Sequence, residues 1–221
     1  LAGQSAAFPF LREYVVLLHG VGREAEAIGA LEKELTSASA AYSIDERASL
    51  LLLKSLILGL DSSAGWASLK ELVRAGIDSE ASLIALQLLG SVRGREADLM
   101  ALLNEIISRP EPHPMIAQLY FMRCQLALAS PETTAIAEAD ARYLLEQFPG
   151  LTEITSVYRL LVYASLQRNP PRYRVAADYL LGLRDQSSDA MEKAYLNRLI
   201  GDCYFLNRDY ANAVDFYMAA N

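Results

Sequence analysis

Two segments of this chain repeat one another at a fixed distance. Residues 22–35 read GREAEAIGALEKEL, and residues 94–107 read GREADLMALLNEII. The offset is 72 residues, which is two periods of 36. Each copy opens with a glycine turn and continues with apolar residues at helical spacing. A period of this length is typical of helix–turn–helix arrays, in which each pair of helices buries its apolar faces on its neighbours.

The same period extends along the whole chain. First helices of successive repeats are predicted to begin near residues 9, 45, 79, 114, 152 and 190. Hydrophobic residues make up 52% of the chain, and Leu and Ala dominate among them. These residues favour helix and are numerous enough for a substantial core. We therefore predict an all-α fold of about six helical repeats that spans residues 1–221 as a single domain.

A proline-rich stretch interrupts the array near its middle. Residues 109–114 read RPEPHP, and three prolines so close together cannot continue a helix. The stretch is predicted to be either a long turn or a hinge that joins two halves, 1–109 and 115–221. His113, which lies within it, is predicted to be a solvated loop residue.

The clearest repeat is the last one, where residues 195–220 read YLNRLIGDCYFLNRDYANAVDFYMAA. Gly201 and Ala213 are spaced to face each other where two antiparallel helices cross, a place that accepts only small side chains. Asp209 follows a polar turn and can cap the second helix. This stretch resembles a tetratricopeptide repeat, a helix–turn–helix unit of about 34 residues. The matching positions are Ile200, Gly201, Tyr204, residues 208–210, Ala213, Tyr217 and Ala220.

The resemblance to the tetratricopeptide family is clearest in residues 194–221 and weaker in residues 115–184. Before residue 115, the repeats are inferred from the period and from the similarity of residues 22–35 to residues 94–107, each of which begins with a glycine. Asn197 departs from the family pattern, which has an aromatic residue there. The resemblance implies a right-handed α-solenoid that acts as a protein–protein interaction scaffold. Its partner would be a protein or peptide that binds on the concave face, within a multi-protein assembly.

One face of the first helix in the last repeat combines aromatic and charged residues. Tyr195, Arg198, Asp202 and Phe205 are spaced 3, 4 and 3 residues apart, which places them on one side of a helix. In the tetratricopeptide family the equivalent positions line the concave groove, and aromatic residues with Arg are typical of interface hot spots. The fifth repeat adds three candidates for partner binding, Tyr158, Arg168 and Asn169. The alternative is that all these residues contact only neighbouring repeats or solvent.

Charge and composition argue against several other classes of function. The net charge is −7 and the isoelectric point about 4.9, whereas nucleic-acid-binding proteins usually carry a basic stripe. No run reaches the roughly 18 apolar residues of a membrane span. Cys124 and Cys203 lie in apolar helical patterns and are predicted to be core thiols. The composition leaves the compartment open, either cytoplasmic or exported after removal of a signal peptide.

The most enzyme-like stretch lies near the start of the chain. Residues 14–20 read YVVLLHG, which could form the oxyanion strand of an α/β-hydrolase that uses the His19–Gly20 region. That alternative requires strand–helix alternation and a Gly-x-Ser-x-Gly motif, which the sequence lacks. The sequence also contains no phosphate loop, no His-Glu-x-x-His and no Cys-x-x-Cys. We predict no enzyme activity, no metal and no cofactor. A purely architectural segment of a larger chain is a further alternative to the scaffold.

The final helix is predicted to leave an apolar face uncovered. Val214 and Met218 lie on a different side from Ala213 and Tyr217, and they point where a seventh repeat would stack. Solenoids normally end in a cap with a polar outer face. We expect this end either to continue into further residues or to be covered by another chain, for example a second copy in a homodimer.

Overall fold

The structure, a computed structural model, describes residues 7–37 and 42–220. Within these residues it contains twelve α-helices, one short 3-10 turn at Pro131–Thr133 and no strand. The helices are α1 (Ala7–Gly20), α2 (Glu24–Thr36), α3 (Ile44–Leu58), α4 (Ser63–Arg74), α5 (Glu80–Ser91), α6 (Glu96–Ile107), α7 (Ile116–Ala127), α8 (Thr134–Gln147), α9 (Ile154–Leu166), α10 (Tyr173–Gln186), α11 (Ala190–Leu206) and α12 (Tyr210–Met218). The predicted all-α fold is therefore confirmed.

The odd-numbered helices recur at a regular interval. They begin at residues 7, 44, 80, 116, 154 and 190, so each starts 36 to 38 residues after the one before. Every start lies within two residues of the position predicted for a first helix. Each odd-numbered helix is followed by an even-numbered partner after a short connection. The sequence period thus corresponds to the interval between successive odd-numbered helices.

Local capping explains where many of these helices begin. Five helices follow a Ser or Asp whose side chain accepts a hydrogen bond from a backbone N–H in the first turn, which satisfies a donor that has no partner within the helix. These residues are Ser43, Ser62, Ser79, Asp189 and Asp209. Ser43 and Glu46 cap each other reciprocally. The predicted cap at Asp209 is confirmed.

Gly22 and Gly94, the first residues of the two similar segments, occupy equivalent turns. Gly22 has a φ of +77° and Gly94 a φ of +81°, both in the left-handed region that side chains disfavour. In each case the next helix, α2 or α6, begins two residues later. The predicted glycine turns are confirmed.

The chain folds into two compact units, an N-terminal unit (Leu1–Ile116) and a C-terminal unit (Ala117–Asn221). In the N-terminal unit each helix from α1 to α5 packs on the next, and α5 packs on α6. The helices α1, α3 and α5 also pack side by side. One part of its core consists of Val15, Leu18, Ala27, Leu31, Leu50 and Ile57.

The C-terminal unit is also built from sequentially packed helices. Each helix from α8 to α11 contacts the next, so the contacts extend to α12. The helix α7 is joined to α8 by an ion pair between Arg123 and Asp140 and by a tilted ring contact between Tyr120 and Tyr143. One core cluster of the C-terminal unit centres on α10 and α11. It consists of Ala176, Ala177, Leu180, Leu183, Leu196, Ile200, Cys203, Tyr204 and Ala213.

Trp66, the only tryptophan of the chain, packs between helix pairs. Its side chain is buried on α4, and its indole N–H donates to the Asp98 carboxylate on α6. The Arg95 guanidinium lies 5.0 Å from the centre of the ring. Trp66 therefore has a structural role in joining the second helix pair to the third.

The prediction that His113 is a solvated loop residue is wrong. The side chain is buried, with its Nε2 2.7 Å from the Val73 carbonyl oxygen at the end of α4. The backbone N–H of Met115 donates to Nδ1, so the ring proton lies on Nε2 and is donated to Val73. The proline-rich stretch is thereby held against its own unit by a contact across 40 residues of sequence, which local spacing does not reveal.

The strand on which the hydrolase alternative depends does not form. Tyr14 to Leu18 lie inside α1, where Val15 and Leu18 are buried at helical spacing. His19 and Gly20 form the last turn of that helix, and the His19 side chain is about half exposed. This continuous apolar run therefore forms part of a helix, in which Val15 and Leu18 are buried while Tyr14, Val16 and Leu17 are exposed.

Gly201 is a point of close approach between α11 and α12. A Cβ atom built there would lie 2.7 Å from the Tyr217 ring and 3.3 Å from the Ala213 carbonyl oxygen. The prediction that Gly201 and Ala213 face each other is therefore confirmed, with Tyr217 supplying the tighter contact. The Tyr217 ring is also held by its hydroxyl, which donates to Asp202 at 2.8 Å.

Replacing Gly201 by Leu is expected to lower the free energy of unfolding by about 1–3 kcal/mol, because the new side chain must wedge α11 and α12 apart. Thermal unfolding followed by circular dichroism would measure the loss. Gly150, which has no atom within 4 Å of an added Cβ, offers a control position in the same unit. Wild-type stability in Gly201→Leu would contradict the described packing of the two helices.

Candidate functional site

The predicted partner-binding face of α11 is largely open to solvent. Tyr195 is 61% exposed and Phe205 is 53% exposed, and Arg198 between them is exposed too. Tyr195 and Arg198 line a concavity of about 400 Å³ together with Tyr217 of α12. This part of α11 therefore presents an aromatic ring, a cation and a phenol side by side.

Asp202, which also belongs to that face, already forms a hydrogen bond within the fold. Its carboxylate accepts the hydrogen bond from the Tyr217 hydroxyl, and this bond is the main reason why the pKa of Tyr217 is raised. The Arg198 charge acts in the opposite direction on the same phenol. Asp202 thus orients Tyr217 at the edge of the concavity that Tyr195 and Arg198 line.

A second surface feature lies at the end of α11. The rings of Phe205 and Tyr210 meet edge to face with their centroids 5.4 Å apart, although both side chains are more than half exposed. Leu206, beside them, is 54% exposed. A preformed aromatic pair of this kind loses little side-chain freedom when a partner covers it.

An apolar groove of about 340 Å³ runs between α9 and α11 over α10. Most of its lining residues are aliphatic side chains of these three helices, with Asp202 at its edge. They are Val162, Leu166, Tyr173, Leu180, Leu199, Asp202, Cys203 and Leu206. We call this feature the α9–α11 groove. It lies between the neighbouring odd-numbered helices α9 and α11, and among the predicted partner-binding residues Asp202 lines it.

The three candidates from the fifth repeat do not join the α11 face. Tyr158 packs its ring against Gly182 of α10, where an added Cβ would overlap the ring. Arg168 is bound to Glu138 of α8, and Asn169 is exposed before a cis peptide bond to Pro170. Among the described residues, no hydrogen bond, ion pair or ring contact links these three to Tyr195 or Arg198.

The physical reason is the length of α9. This helix ends at Leu166, so the spacing argument that places residues on one helical face does not reach Arg168 or Asn169. Tyr158 does lie on α9, but the missing side chain at Gly182 lets its ring turn toward α10. The candidate site at this end of the chain therefore consists of Tyr195, Arg198, Asp202 and Phe205, with Tyr217 and Tyr210 added by α12.

An apolar surface in the N-terminal unit was not predicted from the sequence. Several large apolar side chains of α1 and α3 are at least 44% exposed, namely Phe10, Tyr14, Val16, Leu17 and Leu56. One concavity of about 630 Å³ lies on α1, and another of about 330 Å³ lies among α1, α3 and α5. The sequence of α1 itself indicates this surface, because its apolar residues occupy more of the helix circumference than one buried face needs.

The two cysteines are core thiols, as predicted. Both are free and buried, Cys124 in α7 and Cys203 in α11. Burial raises the pKa of Cys124 to about 12 and that of Cys203 to about 11, so both remain protonated and unreactive at neutral pH. Over residues 7–37 and 42–220, no group of three or more His, Cys, Asp and Glu is arranged to hold a metal ion.

The uncovered apolar residues of the last helix are placed as expected. Val214 is 53% exposed and Met218 is 71% exposed, whereas Ala213 on the other side of α12 is buried against α11. A second copy or another chain on this face stays a prediction. In the described part of the chain, none of the helices has the length and apolar character needed to cross a membrane.

Comparison with known proteins adds no family or function to this arrangement. Neither the models of known protein families nor the curated proteins give a match to this chain.

Proposed function

We propose that this chain is a protein–protein interaction scaffold of the tetratricopeptide type, a right-handed α-solenoid of about six repeats. Its partner would be a protein or peptide within a multi-protein assembly. The observation that carries the proposal is the open face of α11. Tyr195, Arg198 and Phe205 lie on one side of the helix, exposed, beside a concavity and the α9–α11 groove.

The chemistry of this surface fits a peptide that offers both apolar and acidic side chains. Aromatic residues and Arg supply most of the binding energy in many interfaces, because they bury a large area while keeping a polar handle. The α9–α11 groove can accept aliphatic side chains, and the Arg198 guanidinium can pair with a carboxylate. Asp202 already bonds Tyr217, so it contributes mainly by holding that ring in place.

The alternatives have less support. The hydrolase alternative relied on a strand at residues 14–18, which lie within α1. That the chain has no enzyme activity stays a prediction, which labelling with a fluorophosphonate would test. An architectural role without a partner of its own would leave the exposed aromatic residues of α11 unexplained.

Replacing both Tyr195 and Phe205 by Ala is expected to weaken partner binding at least about tenfold while leaving the melting temperature nearly unchanged. Both side chains are more than half exposed, so their removal costs the folded state little. The measurement is a pull-down from the native source with mass spectrometry, followed by titration of the partner recovered.

Two control variants make this test specific. Lys193→Ala removes an exposed side chain from the opposite side of the same helix and should leave binding unchanged. Arg198→Glu reverses the charge between the two aromatic residues and should abolish binding of an acidic partner. Recovery of no partner, or equal binding by wild type and the double variant, would contradict the proposal.

A further inference from the structure

Three arginines in the C-terminal unit converge on a single buried carboxylate. Glu138 lies on α8 with its side chain 8% exposed. Arg168 donates to both of its oxygens in a fork, from Nε at 2.9 Å and from Nη2 at 2.9 Å. Arg172 and Arg142 approach Oε2 of the same carboxylate at 3.6 Å and 3.8 Å. We call these four side chains the Glu138 cluster.

Two of the three guanidinium groups keep donors available. The Arg142 and Arg172 side chains are 48% and 49% exposed, and their distances to Glu138 are too long for hydrogen bonds. Arg142 donates Nε to the Tyr179 hydroxyl at 3.0 Å. The Arg172 side chain makes no hydrogen bond to any residue within the described ranges. A ligand from solvent can therefore reach both groups without displacing Arg168 from Glu138.

The charges of the Glu138 cluster do not balance. Glu138 is the one carboxylate within ion-pair distance of these three arginines among the residues that the structure describes. The hydrogen bonds from Arg168, aided by the charges of Arg172 and Arg142, hold the pKa of Glu138 below its ordinary value, so it is ionised at neutral pH. Two positive charges remain uncompensated, in a chain whose net charge is −7.

Other arginines of the same unit are paired differently. Arg123 pairs with Asp140, Arg159 pairs with Glu192, and Arg174 lies near two carboxylates, those of Asp178 and Asp209. Like charges held close together repel, so the excess at the Glu138 cluster disfavours the unliganded arrangement and is relieved by an added anion. Glu138 fixes the position of the guanidinium groups, and an anion from solvent would supply the missing negative charge.

We propose that Arg142 and Arg172, held beside the Arg168–Glu138 pair, form a binding site for a phosphate dianion. The ligand is either free phosphate or a phosphate monoester on a phosphorylated segment of a partner protein. A dianion matches the two uncompensated charges, whereas a carboxylate would leave one. The planar guanidinium fork also fits phosphate oxygens through two parallel hydrogen bonds. This site does not depend on the α11 face, and either can exist without the other.

The test is isothermal titration calorimetry at constant ionic strength with three probes. They are sodium phosphate, a short peptide of glycine and serine that carries one phosphoserine, and the same peptide without the phosphate. We expect one saturable site per chain for the two phosphate-bearing probes and none for the third. A phosphopeptide that binds more than tenfold tighter than phosphate identifies a phosphorylated segment as the ligand, and equal affinity identifies the free anion.

The arginine variants decide whether the Glu138 cluster is the site. Arg172→Gln should weaken binding about tenfold, because a charge-assisted contact is lost, and Arg142→Gln combined with it should abolish binding. Arg159→Gln removes a guanidinium that is 59% exposed and pairs with Glu192 instead of Glu138, and should leave binding unchanged. Circular dichroism checks that each variant folds.

Two results would overturn the proposal. One is the absence of saturable binding by both phosphate-bearing probes to the wild-type chain. The other is an equal loss of binding in Arg159→Gln and Arg172→Gln, which would show a general charge effect. Arg172→Lys adds a finer reading, since it keeps the charge and removes the fork. An affinity between those of wild type and Arg172→Gln is expected.

Discussion

Replacing Arg123 by Ala is expected to lower the free energy of unfolding of the C-terminal unit by about 3–5 kcal/mol. Arg123 of α7 donates to both oxygens of Asp140 on α8, at 2.8 Å and 2.6 Å, and the Asp140 side chain is only 4% exposed. Removing the guanidinium would leave a buried carboxylate without its counter-charge. It would also remove one of the few links between α7 and α8. Urea unfolding followed by circular dichroism would measure the loss.

Two comparisons show whether the effect comes from the unpaired charge. Arg159→Ala removes a guanidinium whose pair with Glu192 is exposed, and should cost no more than about 1 kcal/mol. The double variant Arg123→Ala and Asp140→Ala should be more stable than Arg123→Ala alone, because no buried charge is left without a partner. A double variant less stable than the single one would assign the loss to packing of the two side chains instead.

Replacing Gly65 by Ala is expected to destabilise the N-terminal unit by about 3 kcal/mol or more. Gly65 lies in the first turn of α4, where the end of α3 passes very close. A Cβ atom there would overlap the Gly59 carbonyl oxygen and lie 3.0 Å from the Ser55 carbonyl oxygen. Both contacts are backbone atoms, so no side chain can rotate away and α4 itself would have to shift.

The neighbouring Trp66 provides a local measurement of this change. The Trp66 indole is buried and hydrogen-bonded to Asp98, so a displaced α4 should alter the fluorescence of Trp66. Thermal unfolding followed by this fluorescence should shift as well. We expect the midpoint to fall by roughly 10 °C. Gly29→Ala is the matched control, because no atom lies within 4 Å of a Cβ added at that helical glycine. This substitution should raise the free energy of unfolding by about 0.5–1 kcal/mol. A midpoint unchanged by Gly65→Ala would contradict the described crossing of α3 and α4.

The candidate site was predicted only where its residues lie on one helix. Tyr195, Arg198 and Phe205 share α11, and a spacing of three and four residues is sufficient to place them on one exposed face. The ring of Tyr217 reaches the same concavity from α12, and its position depends on the absence of a side chain at Gly201. Contacts of that kind require knowledge of how two helices cross, which the spacing within one helix does not contain.

The sequence by itself determined where the helices begin and how often they recur. Those features depend on interactions between residues a few positions apart, such as the caps at Ser43 and Asp209 and the turn at Gly22. Only the tertiary structure decided the fates of His113, bound to Val73 across 40 residues, and Arg168, bound to Glu138 across 30. Polar side chains in loops can face solvent or a buried partner, and the choice depends on which distant backbone or charge the fold brings beside them.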